Sequence, residues 1–178
     1  MRNLRKQSKN AKPDPVLGFY NGELRSWLGW AQEVGGDHAA ASESWRQARN
    51  ELEPFLKEQP ENFNLIGDLA LTNTGLGDKA AALALAQKVT PTSPLEKDAV
   101  DGSGALEFLA RVLAQAGEPD RAITTIQKLL SILGAGLLGV GIPRTPVLLR
   151  LDPMFDPLRN DPRFQKLAAA EAPKSAQK

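Results

Sequence analysis

The strongest constraint on what this chain can fold into is a spacing of turns. Gly36-Asp37, Gly77-Asp78 and Gly117-Glu118 fall 41 and 40 residues apart, each inside the same framework of residues. Eight positions before each glycine stands a leucine (Leu28, Leu69, Leu109), followed by a small residue (Gly29, Ala70, Ala110). Five positions after it stands an alanine (Ala41, Ala82, Ala122), and four beyond that a packing residue (Trp45, Ala86, Ile126). A small residue late in one helix and an alanine early in the next let two backbones approach, while larger residues a turn away fill the space between them. Self-similarity at this period is the signature of a stacked repeat.

Between the turns the chain reads as helix. Ala, Leu, Glu, Gln, Lys and Arg dominate and β-branched alternation is scarce. Asp14-Pro15 offers a cap and a first-turn proline, after which Leu24, Trp27, Leu28, Ala31 and Val34 recur at helical spacing until Gly35-Gly36. A second helix is expected from Asp37 to about Gln59, with Ala41, Trp45, Ala48, Leu52 and Phe55 on one face, kinked or broken near Glu53 by Pro54. Two further helices are expected around 61–74 and 78–89. A capping box at Ser93-Pro94-Leu95-Glu96 predicts a short extra turn. "DGSG" at 101–104 is expected to break the chain before a third pair, at 104–116 and 119–133.

Residues 22–133 resemble tetratricopeptide repeats, whose pattern has Leu-Gly in the first helix and Ala-x-x-x-Phe in the second. "WLGWAQEVGGDHAAASESW" is the clearest copy; the other two lack the aromatic positions, and HEAT-like helix pairs also have periods near 40. The resemblance implies an all-α, right-handed superhelical stack of about three helix pairs over residues 14–143, with a C-terminal capping helix in an Asp-Pro-rich segment at 144–170 and a tail at 171–178. The stretch from "SPLEKDAVDGSGALEF" to "DPRFQKL" is similar to the C-terminal end of such arrays in bacterial multidomain signalling proteins. There the array follows a serine/threonine kinase, a nucleotide cyclase or a DNA-binding domain. Two functions are therefore implied: a non-enzymatic scaffold or adaptor that binds a peptide or helix of a protein partner, or a regulatory or sensor tail of a signalling protein acting in cis or in trans.

Composition narrows the alternatives. The 178 residues suit one domain with its own core. The absence of cysteine removes disulfides, thiol nucleophiles and Cys-based metal sites together. With 22 basic and 21 acidic residues, the net charge of +1 argues against a dedicated nucleic-acid binder. Arg2, Arg5, Lys6, Lys9 and Lys12 make residues 1–13 a basic segment, read as a flexible lead-in because nothing apolar follows to make a signal-peptide core. The longest apolar run, "ILGAGLLGVGI" at 132–142, is far short of the roughly 20 residues a membrane span requires. The expectation is a soluble, cytoplasmic protein without a nucleic-acid partner, with homo-oligomerisation left open.

No catalytic, metal-binding or cofactor-binding constellation is legible. Gly134, Gly136 and Gly139 match GxGxxG, but a helix rather than a strand precedes them and Pro143 follows, so a connector is the better reading. His38, the single histidine, lies beside Asp37 and before Ala39, Ala40 and Ala41, the setting of a capping turn rather than of a general base. In a tetratricopeptide-like stack the first helix of each pair lines the concave groove. The repeat register then nominates Glu23, Ser26 and Trp30, Asn64, Leu71 and Thr74, and Glu107, Arg111 and Gln115 as partner-binding, with Trp30 and Arg111 as the anchors.

"LRLDPMFDPLRNDPRF", residues 149–164, places three Asp-Pro pairs among three arginines. It could be a metal or phosphate site. Helix punctuation is the preferred reading, because an aspartate accepts an orphan amide and proline's fixed φ suits the first helical position. Two short turns at about 153–155 and 157–160 and a helix from Pro162 to about Ala170 are predicted. Leu148, Leu151, Met154, Phe155, Leu158, Phe164 and Leu167 would be pressed onto the third pair, with the arginines near solvent.

Overall fold

Gly36, Gly77 and Gly117 share one backbone conformation, with φ of 83°, 79° and 81°, the left-handed region that glycine enters without a Cβ penalty. After each glycine the next amide reaches back five residues to close the helix: Asp37 N to the Gln32 carbonyl, Asp78 N to Asn73 and Glu118 N to Leu113, each at 2.9 Å. Asp37 and Asp78 then start the following helix, accepting the amides of Ala40 and Ala81 at 3.1 Å. Glu118, one methylene longer, occupies the same place without a side-chain capping bond. A two-residue unit thus ends one helix and begins the next, three times.

In the computed structural model, residues 15–92, 94, 99–132 and 146–169 are described. Their elements are α1 (Pro15–Val34), α2 (His38–Glu58), α3 (Phe63–Gly75), α4 (Lys79–Thr92), α5 (Ala99–Ala116), α6 (Pro119–Ser131), α7 (Pro146–Leu151), a 3-10 helix (Pro153–Leu158) and α8 (Pro162–Ala169). No strand occurs among the described residues. The basic segment 1–13, most of the capping box, the GxGxxG run and the tail 171–178 lie outside the described residues.

The helices pair as α1 with α2, α3 with α4 and α5 with α6; α2 touches α3, α4 touches α5, and α1, α3 and α5 stand side by side. The framework alanines Ala41, Ala82 and Ala122 are fully buried, as are Ala70 and Ala110. Gly29 shows why a small residue is needed there, since a Cβ on it would lie 2.4 Å from Trp45 Nε1. That indole donates to the Ser26 carbonyl at 3.2 Å and so ties α2 to α1.

Three expectations need correction. Pro54 does not end α2, which continues to Glu58; Pro54 and Asn50, whose carbonyl loses its helical partner, both face water. "DGSG" does not break the chain, because α5 begins at Ala99 and runs straight through it. Packing overrides glycine's low helix propensity there, with Gly104 so close to Phe63 that a Cβ would approach its ring to 3.3 Å. Leu28 does not match its buried counterpart Leu69: it is 48% exposed, in a pair with no predecessor among the described residues.

The Asp-Pro segment closes the other end. Leu149, Phe155, Leu158, Phe164 and Ala168 join Leu106, Leu113, Ile123, Ile126 and Leu129 of α5 and α6 in one core. Leu149 takes the buried place expected for Leu151, which is exposed. Two of the arginines pair with neighbouring aspartates near solvent, Arg159 with Asp156 at 2.6 Å and Arg163 with Asp161 at 2.7 Å. Arg150 and Arg159 also donate to the carbonyls of Ala168 and Arg150, holding α7, the 3-10 helix and α8 together.

Candidate functional site

Side-by-side packing of α1, α3 and α5 brings their polar residues onto one face. Glu23, Ser26, Trp27 and Trp30 recur at helical spacing on α1, as do Asp68 and Thr72 on α3 and Glu107, Arg111 and Gln115 on α5. Ser26 and Thr72, both buried, are hydrogen-bonded at 2.9 Å and fix the register of α1 against α3.

Two acidic residues, Glu23 and Asp68, lie one turn before that bond on their helices. Asp68 is only 3% exposed, with no ion pair or hydrogen bond to its carboxylate among the described residues. Burial pushes its carboxyl well above the usual range, and the charge of Glu23 adds to the effect. Glu23 is itself raised by burial. An acid inside "LIGDLAL", residues 65–71 and otherwise apolar, was the sequence signal for Asp68 that register alone missed.

Arg111 sits further along the same face. Its guanidinium pairs with Glu107 one turn back, with Asp152 Oδ2 at 3.0 Å and 3.2 Å, and lies 5.5 Å over the Trp27 ring. The side chains of Arg111, Glu107 and Asp152 are 14%, 12% and 21% exposed, so the pairs are largely shielded from water. Gln115 donates to the Met154 carbonyl at 2.8 Å. Met154 itself is buried against Ala70, Leu71, Ala82, Ala86 and Val112. The Asp-Pro segment therefore does more than cover the last pair: Asp152 and Met154 reach the α5 residues of this face and engage two of the nominated residues, Arg111 and Gln115.

The remaining nominated residues separate by environment. Leu71 is core. Trp30 packs edge-on against Trp45 at 5.0 Å, with its Nε1 buried and unpartnered among the described residues, so it is a packing residue here rather than an exposed anchor. Phe19 and Tyr20, earlier on the same helix, meet each other edge to face at 5.6 Å. Thr74 bonds back to the Ala70 carbonyl at 2.8 Å, and Asn64 is exposed. Trp27, which sequence spacing placed in an apolar stripe, is 36% exposed beside Arg111.

His38 is exposed and bonds Glu33 at 2.9 Å, which raises its pKa. No group of three His, Asp or Glu residues able to hold a metal occurs among the described residues, and no described helix is long and apolar enough to cross a membrane. Compared with protein-family models, curated proteins and solved structures, the chain matches none.

Proposed function

We propose that the three helix pairs form a tetratricopeptide-like, right-handed superhelical stack and that the chain is a non-enzymatic interaction module, binding a segment of a protein partner on the face of α1, α3 and α5. One observation carries this reading. Glu23, part-buried near the buried acid Asp68, presents a carboxylate without a cation among the described residues, on the same helix as the partly exposed ring of Trp27. A lysine or arginine of a bound segment would supply the missing charge, and its stem would lie on the indole. The chain's own Arg111, held between carboxylates and over Trp27, is the intramolecular version of that contact. Asp152 and Met154 close the far end of the face, so the segment would enter from the Glu23 side.

An array of short peptides, each with a single lysine, arginine, glutamate or glutamine at its centre, tests this. Retention of basic peptides and its loss in Glu23→Gln and Trp27→Ala are expected. Equal retention of acidic and basic peptides would remove the proposed recognition.

A further inference from the structure

The ridge that spacing picks out on α1 is left bare. Tyr20, Leu24, Leu28 and Val34 are 54%, 66%, 48% and 63% exposed, with exposed Ala31 between them, opposite the Gly22 and Gly29 side that docks on α2. The repeat shows what such a ridge normally meets. Shifted by the repeat spacing, Leu24, Leu28 and Ala31 become Leu65, Leu69 and Thr72 in α3, and Ala105, Leu109 and Val112 in α5. Leu65 and Leu69 are covered by Leu52, Phe55 and Leu56 of α2. Ala105 packs with Val89, and Val112 with Ala82 and Ala86, all of α4. In each inner pair an apolar helix face from the preceding pair covers the ridge, and α1 has no described predecessor.

We propose that a second copy of this chain covers it, α1 against α1 about a two-fold axis. The occupant must be a helix with an apolar ridge of its own. Among the described residues the other large apolar side chains left exposed are Trp27, which lies beside Arg111 on the polar face of the same helix, and Val147 and Leu151 of six-residue α7, so α1 is the helix that can meet this requirement in both directions. Residues 1–12, which adjoin α1, carry five cations and little apolar surface with which to cover it. The opposite end of the stack is closed by the Asp-Pro segment, so copies cannot add head to tail and a self-complementary two-fold contact is the symmetry left open. A net charge of +1 sets little repulsion between copies.

The ridge from Tyr20 to Val34 spans roughly 21 Å at 1.5 Å per residue, and four large side chains bury less than the ~800 Å² per partner of a standard interface. The dimer should accordingly dissociate on the order of micromolar concentration.

Sedimentation velocity of the full chain from about 1 to about 500 μM tests this. The mass is expected to rise from 19.2 kDa toward twice that value, and Leu24→Lys and Leu28→Lys to hold it at 19.2 kDa with an unchanged circular dichroism spectrum. Because the chain has no cysteine, Ala31→Cys supplies a single thiol that should form a disulfide-linked dimer on oxidation, while exposed Gln87→Cys on α4 should not. A parent that stays at 19.2 kDa throughout overturns the proposal and leaves the ridge to a helix of another chain. Lysine variants that dimerise like the parent overturn it by placing the contact elsewhere. The peptide-binding reading is separable, since Trp27→Ala and Glu23→Gln test that face and Leu24→Lys should leave peptide retention intact.

Discussion

Asp152→Asn separates the two roles that the structure gives to one carboxylate. Asn can still accept the Met154 amide, which Asp152 Oδ1 accepts at 2.9 Å, because its side-chain oxygen caps about as well. It cannot supply the charge that Arg111 meets at 3.0 Å through Oδ2. A hydrogen bond between charged groups contributes about 1.5–3 kcal/mol, and breaking a fully buried pair costs about 3–5 kcal/mol. Here Asp152 is about one-fifth exposed and Arg111 keeps Glu107, so the expected loss is about 1–2 kcal/mol. Asp156→Asn, which breaks an exposed pair with Arg159, should cost within about 0.5 kcal/mol. Urea denaturation of the parent, Asp152→Asn, Arg111→Ala and the double variant would give the coupling directly. If Asp152→Asn unfolds with the parent and the cycle shows no coupling, the carboxylate serves only as a cap and the Arg111 contact does not hold the segment against α5.

Ala41→Glu, Ala82→Glu and Ala122→Glu each force a carboxylate into a site of zero exposure, and each should cost about 3 kcal/mol or more by thermal melting; parent-like melting in all three would mean that the repeat register is wrong. Asp68→Asn should raise the melting temperature by a few degrees at neutral pH. Because the folded state raises this acid's pKa, ionisation costs stability as pH climbs above 3.8, so the advantage should vanish in acid; a gain independent of pH would point to another cause. The Asp161 carboxyl, held by Arg163, should titrate near about 2 by NMR, and its contribution to stability should be full above 3.8 and disappear as pH falls through 2. Trp30→Ala should lower the melting temperature as well as any partner affinity, since the ring packs on Trp45.

Local chemistry in the sequence determined the ends of most elements. A Gly-acid pair terminates a helix through a left-handed residue and, at Asp37 and Asp78, caps the next with its side chain, so the three turns, and with them the helix pairs, could be read from residues that interact within five positions. The same holds for Asp152-Pro153 and Asp161-Pro162, where cap and first turn are adjacent and the elements start at the expected residues, although the two short turns expected at 153–155 and 157–160 are one 3-10 helix, Pro153–Leu158, that runs through Pro157. Repeat register also placed Glu107, Arg111 and Gln115 on one face. What occupies that face could not be read in the same way, because Arg111 and Asp152 are 41 residues apart and nothing in either neighbourhood specifies the other. The unbroken α5 followed the same rule, its glycines being tolerated because Gly104 lies against Phe63 on another helix. Most of all, Leu28 and Leu69 hold the same place in the repeat, yet one is half-exposed and the other buried. Periodicity gives both the same apolar ridge; whether a ridge is covered depends on which helix precedes it in space, and that is decided only by tertiary structure.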